Sequence, residues 1–259
     1  MAQDNRSPRL AVLIDADNTS AKIADGLFEE IAKLGQASVR RIYGDFTSSR
    51  LTGWTKILAK HAILVEQQFA YVTGKNASDI ALVIDAMDLM HSERLDGFCL
   101  VSSDSDFTRL AARLREEGLD VFGFGERKTP ESFRQACLRF IYTENLQMEK
   151  AIRTEVATEP ARLTPADSVP ILRKVVAQMD SEDGWVNLGP LGNRIANMAS
   201  DFDPRSYGCS KLSDLVRKSG AFEVDASQGR LKVRLKPETA ASEAPKPRRR
   251  RRAAPKPAT

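Results

Sequence analysis

Two short acidic motifs carry most of the chemistry this sequence offers. Asp15, Ala16, Asp17 and Asn18 follow the apolar run 10–14 (LAVLI), and Asp104, Ser105 and Asp106 close the run that begins FCLV at 98–101. A third acid, Asp79, opens a helical pattern between them. Carboxylates held close together repel one another unless a proton or a cation relieves them. The set Asp15, Asp79, Asp104 and Asp106 suits Mg²⁺ or Mn²⁺, hard ions that prefer carboxylate and water oxygens. One or two such ions lower the pKa of a bound water and neutralise charge building on a phosphodiester. Phosphoryl chemistry is therefore the expectation. Each acid alone has a structural explanation: Asp17 and Asp104 as helix caps, Asp79 as a favourable charge at a helix start. Their joint placement is what points to a site.

Other chemistries have little to work with. The chain has only His61 and His91 and no serine or cysteine in a nucleophile elbow, so a hydrolase triad is unsupported. Cys99, Cys137 and Cys209 are odd in number, lack C-x-x-C spacing and read as buried free thiols. The stretch Asp15 to Thr19 also satisfies the D-x-D-x-T pattern of haloacid-dehalogenase phosphatases, with Asp15 as nucleophile and Asp17 as acid/base. That fold needs a further Ser/Thr strand end and a late acidic pair. If Ser102 is the hydroxyl, the next strand ends in Gly123, Phe124 and Gly125 without acids; if Asp104 and Asp106 are the pair, no earlier apolar strand ends in Ser or Thr. Asp45 reads as a turn residue, and Asp85 and Asp88 as members of a solvated or interface face.

The elements that position these acids follow from periodicity. Residues 10–14 are apolar without alternation, as in a parallel strand buried on both faces. Ligands of open parallel sheets sit outside the carboxyl ends of such strands. Further strands are expected at 39–43, 63–68, 98–101 and 121–124, with an edge strand at 140–142. Helices alternate with them: 23–34, one through Trp54, Ile57 and Leu58, 77–91, 107–117 and 131–138. Within 77–91, Ile80, Val83, Ile84, Met87 and Met90 form the expected apolar face. Strict alternation predicts an α/β fold, a doubly wound parallel sheet, over residues 9–145. Residues 146–165 read as a linker. Three short helical patterns (169–179, 188–198, 212–218) and a hairpin around Gln228 and Gly229 predict a small C-terminal winged-helix-like domain over 166–236. Residues 1–8 and 237–259 are expected to be disordered.

The net charge of +4 divides unevenly. Residues 246–259 hold seven basic residues (Lys246, Arg248, Arg249, Arg250, Arg251, Arg252, Lys256) and no acid; removing them from the 39 basic residues leaves 32 against 35 acidic ones, a body of net −3. A near-neutral body with a basic tail predicts an electrostatic arm for a polyanion. Further candidates for phosphate contact are Lys75 and Asn76 before Asp79, Arg205, Lys211, Arg217 and Lys218 in the second module, and Arg230, Lys232 and Arg234 along its hairpin. Trp185 and Phe202 are expected in the core, with Tyr207 the aromatic best placed to stack on a base. No apolar run approaches the ~20 residues of a membrane span, and the N-terminus MAQDNRSPR lacks a signal-peptide core. A cytoplasmic protein with no membrane partner is the expectation.

The motifs LIDADN, GKNASDIALVIDAMDL and LVSSDSDFTRLAARLREEGLDVFGFG, in that order, resemble the NYN domain, a PIN-like Rossmannoid ribonuclease fold. That resemblance implies that Asp15, Asp79, Asp104 and Asp106 bind divalent metal for RNA phosphodiester cleavage, with Asn18 beside them as an RNA contact. Asp17 stands where many relatives carry glutamate. The segment from Asp183 to Val224 resembles the LOTUS domain, also called OST-HTH, which implies RNA binding and, in some cases, a protein partner or self-association. A metal-dependent ribonuclease holding RNA through its second module and tail is the function these resemblances imply. The alternative is a non-catalytic RNA-binding adaptor, for which four mutually repelling carboxylates have no physical use.

Overall fold

The computed structural model describes residues 6–68, 77–146, 163–181, 183–226 and 230–236. Lys75, Asn76, most of the expected linker, the turn at Gln228 and Gly229, and the basic tail lie outside the described residues.

Strand β1 (Arg9–Asp15) is the centre of the molecule, with Leu10 to Asp15 all buried. It pairs in parallel with β2 (Gln36–Gly44) on one side and β4 (Gly97–Val101) on the other. With β3 (Leu64–Gln67), β5 (Asp120–Gly125) and β6 (Arg139–Tyr142) the sheet runs β3-β2-β1-β4-β5-β6, every pair parallel. Strand order reverses between β1 and β4. Ile14 is paired with Val101, so Asp15 and Ser102 leave the sheet side by side at this switch point, where an open α/β sheet has its crevice.

Alternate residues of β1 feed two cores. Leu10, Val12 and Ile14 pack against Leu27 and Ile31 of α1 (Ala24–Leu34) and against Trp54. Ala11 and Leu13 pack against α4 (Ala77–His91), α5 (Thr108–Glu116) and α6 (Glu131–Ala136). Each fully buried aliphatic side chain of β1 contributes about 1.5–3 kcal/mol. The doubly wound sheet is as expected.

Two local expectations fail. The single helix through Trp54, Ile57 and Leu58 is instead a 3₁₀ turn (Ser49–Leu51) and two short helices, α2 (Thr52–Thr55) and α3 (Leu58–His61), the latter stopped by Ala62 at φ 49°. The buried face of α4 is also different: Leu82, Ala86 and Met90 point inward, while Ile80 and Ile84 are 60% and 58% exposed. Apolar residues surround this helix, so periodicity does not select a side. Asp85 does, because it bonds the Arg41 guanidinium and the Tyr43 hydroxyl of β2. Asp79 precedes Leu82, Ala86 and Met90 on the same inward stripe.

The C-terminal module consists of α7 (Val169–Val176), α8 (Leu188–Met198) and α9 (Leu212–Lys218) around a three-stranded antiparallel sheet. Its strands are β7 (Val186–Asn187), β8 (Phe222–Asp225) and β9 (Lys232–Leu235), in the order β7-β9-β8. Leu172, Val175, Leu191, Ile195, Val216, Phe222 and Val233 form its core. The short β7 was not legible beside the expected hairpin.

Polar contacts join this module to the edge of the first sheet. The Phe140 amide of β6 donates to the Ser200 carbonyl at 2.8 Å, and the Tyr142 hydroxyl to Asp201 at 2.7 Å, where Arg134 also binds. Asn145 donates to the Ser206 hydroxyl at 3.1 Å. Arg205 forks between its neighbour Asp203 (2.7 Å) and Glu30 of α1 (3.0 Å). Its side chain is 16% exposed, so the expected RNA contact of Arg205 is corrected to a buried link between the two domains.

Candidate active site

Asp15 ends β1 and is 1% exposed. Its Oδ2 accepts from the Ser102 hydroxyl at 2.7 Å and the Asn18 amide at 2.9 Å; its Oδ1 takes longer backbone bonds from Asp17 (3.2 Å) and Asn18 (3.3 Å). Burial pushes the carboxyl above its ordinary value, against the opposing bonds from Ser102 and Asn18. Ser102 is the residue that sequence reasoning passed over as a ligand-side group. It bonds Asp15 and accepts the Asp104 amide at 3.1 Å, coupling the ends of β1 and β4. The signal was its position one residue past Val101, level with Asp15.

Asp104 caps a 3₁₀ turn (Ser105–Phe107), accepting the Asp106 amide at 2.9 Å. Asp17 accepts from Ser78 at 3.3 Å, which ties the loop after β1 to the first turn of α4. Asp79 occupies that turn. Its carboxyl is pushed up to about 6, first by burial and then by the charges of Asp15, Asp104, Asp106 and Asp17. Four acids from two strand ends thus act on a fifth from a helix between them in sequence.

Among the described residues no three acid, histidine or cysteine side chains form a ready cage for an ion. Mg²⁺ does not require one: it keeps several waters and binds through one or two carboxylates plus substrate phosphate. An all-carboxylate set in which the other acids raise the proton affinity of Asp79 fits a hard cation held in that manner.

The more distant candidates divide. Lys211, Arg217, Lys218 and Arg230 are exposed, and Lys232 is half-buried on β9. Arg234 is engaged by Glu223 at 2.5 Å and lies 4.7 Å from the Trp185 ring centroid, so its guanidinium is already occupied. Tyr207 packs on Phe202 with ring centroids 5.6 Å apart.

Gly125, at the end of β5, lets the chain at Ser102 approach. A Cβ there would lie 2.6 Å from the Ser102 carbonyl and 2.7 Å from the Thr129 hydroxyl. Gly125→Ala is expected to lower stability by about 1–3 kcal/mol and to loosen the Ser102–Asp15 bond. A denaturant midpoint equal to wild type would show that the strand ends are less tightly set.

The NYN domain family matches residues 9–147 and the OST-HTH/LOTUS domain family matches residues 166–233. No curated protein matches the chain. Among solved structures, a protein of unknown function from Vibrio parahaemolyticus is 18% identical, with a TM-score of 0.45, over 54% of this chain and 95% of that one. An uncharacterised protein from Nitrosomonas europaea is 30% identical, with a TM-score of 0.29, over 34% of this chain and 89% of that one. No helix among the described residues is long and apolar enough to cross a membrane. NYN domains are generally PIN-like nucleases, and LOTUS domains are associated with RNA binding. With the six-stranded sheet and its acids inside a match that spans more than half of the sequence, this chain belongs to the NYN domain family, followed by an OST-HTH/LOTUS domain.

Proposed function

We propose that the protein is a metal-dependent ribonuclease that hydrolyses RNA phosphodiester bonds where β1 and β4 end. The observation that supports this most is Asp79, whose carboxyl is pushed to about 6 by burial and four neighbouring acids. A scaffold gains nothing from such repulsion, whereas a cation-dependent site needs it. Bound Mg²⁺ or Mn²⁺ would lower the pKa of an attacking water and neutralise charge developing on the phosphate. Asp79, Asp104 and Asp106 would hold the ion together with Oδ1 of Asp15. Ser102 and Asn18 fix the Asp15 carboxylate through its other oxygen, so Asn18 acts on the acid rather than on RNA. Exposed Lys211, Arg217, Lys218 and Arg230, with Lys232, would carry the phosphates of the bound strand.

Two observations favour the adaptor: Asp104 is used as a cap, and no ready cage is present among the described residues. Incubating the pure protein with labelled single-stranded RNA in Mn²⁺ or EDTA separates the two. Cleavage in Mn²⁺ alone supports the nuclease; bound but intact RNA in both replaces it with the adaptor.

The basic tail would add a sequence-independent arm. Deleting residues 246–259 is expected to weaken binding to all RNAs alike. Each phosphate contact on a single strand contributes about −0.7 to the slope of log K against log salt, so losing half the tail's contacts changes it by about 2. An unchanged slope would show that the tail does not touch RNA.

A further inference from the structure

Beside the acids the loop after β1 opens into a cavity of about 440 Å³. Ala16, Ala21, Leu51 and Trp54 give it apolar walls, and Lys22, Arg50 and Lys128 bring positive charge from three separate segments. Trp54 is 2% exposed and its indole N–H donates to the Thr19 carbonyl at 2.9 Å, so this wall is fixed. Arg50 lies 4.0 Å from Asp17, which joins the cavity to the acid cluster. Lys128 pairs with Glu126 at 2.9 Å. The hydrolytic step proposed above uses none of these groups.

We infer that this cavity is a nucleotide subsite for the substrate strand, taking the base and sugar of the residue next to the scissile phosphate. Ligand pockets begin at about 300 Å³, so the space suits one nucleotide and not a duplex. The apolar floor over the buried Trp54, Leu51 and Ala16 meets base and sugar by edge contact rather than by stacking, and the three cations on the rim draw the adjoining phosphates. Asp17 and Glu126 offset two of those cations. That balance suits a singly charged diester more than a free phosphate monoester, and the two acids also offer acceptors for base amino or ribose hydroxyl groups. The identity of the strand rests on the nuclease reading; the occupancy of the cavity by a nucleotide does not.

The test uses the full chain with Trp185→Phe, so that fluorescence reports Trp54 alone. An RNA dinucleotide is titrated in EDTA, and cleavage of a longer single strand is followed in Mn²⁺. The double variant Lys22→Glu/Arg50→Glu alters two exposed side chains. It is expected to weaken dinucleotide binding at least tenfold and to raise KM for cleavage while kcat stays near wild type. If both quantities stay at wild-type values while wild type cleaves normally, the subsite is wrong and the nuclease stands. If wild type binds the dinucleotide through Trp54 and the variant does not, but neither cleaves, the nuclease reading fails and the nucleotide site stands. AMP bound as tightly as the dinucleotide would overturn assignment to the strand.

Discussion

Asp104→Asn is expected to lower Mn²⁺-dependent RNA cleavage by at least about 100-fold, the usual cost of removing one preorganised charge from a reacting centre. RNA binding in EDTA should stay at the wild-type level. The substitution is selective because asparagine caps a helix about as well as aspartate, so the bond to the Asp106 amide survives while the charge is lost. A thermal experiment supplies an arm independent of activity. The Asp79 carboxyl sits near 6 because burial and four acids disfavour its charged form, so at pH 7 its ionisation weakens the metal-free fold. Asp79 is only partly buried and solvent screens much of this, leaving on the order of 1 kcal/mol. Asp79→Asn should therefore melt about 2–4 °C higher than wild type in EDTA. Wild type should gain more from added metal, since a native-state ligand contributes about 2.7 kcal/mol at a hundredfold excess over Kd. Cleavage at wild-type rate in Asp104→Asn would remove these acids from the reaction. A lower melt for Asp79→Asn in EDTA, with equal response to metal, would make the acids part of a scaffold.

The residues that were easy to read are those whose surroundings are imposed by their own strand. Leu10 to Ile14 admit no solvent-facing side, so the central strand, and with it the exit of Asp15, followed from local pattern. The convergence of Asp15 with Asp104 follows from the parallel sheet, because the ends of buried strands share one edge. The face of α4 did not follow, since Ile80 and Ile84 are as apolar as Leu82 and Ala86. Its orientation depends on Asp85 meeting Arg41 and Tyr43, contacts 44 and 42 residues distant in sequence. Arg205 was misassigned for the same reason. Its charge marks it as a phosphate ligand until Glu30, 175 residues away, is brought to it.

Arg205→Met is expected to lower stability by about 3 kcal/mol, at the lower end of the cost of breaking a buried ion pair from one side. Glu30 and Asp203 have side chains only 4% and 5% exposed, and Arg205 bonds both. Without the guanidinium Asp203 loses its main counter-charge and Glu30 one of two, although Glu30 keeps Lys33 at 2.8 Å and Arg139 at 4.0 Å. For a chain of this size the melting temperature should fall by about 6–12 °C, and unfolding should separate into two transitions as the domains uncouple. The pH dependence distinguishes this from a packing defect. In wild type, burial works against both carboxylates, but Lys33 and then Arg205 at Glu30, and Arg205 with Arg139 at Asp203, hold them below their ordinary values. Depressed carboxylates contribute stability that is present above the ordinary range near pH 4 and is lost as pH falls through and below it. In Arg205→Met, burial dominates and raises Asp203 in particular, so lowering the pH from 7 to 5 should stabilise the variant and leave wild type nearly unchanged. Adding Glu30→Gln and Asp203→Asn should recover most of the loss, because a neutral hydrogen-bonded cluster needs no counter-ion. Equal midpoints and parallel pH profiles for wild type and Arg205→Met would mean that the guanidinium is free in solution. Arg205 would then return to the RNA-facing set, leaving the Phe140–Ser200, Tyr142–Asp201, Arg134–Asp201 and Asn145–Ser206 contacts to join the two domains.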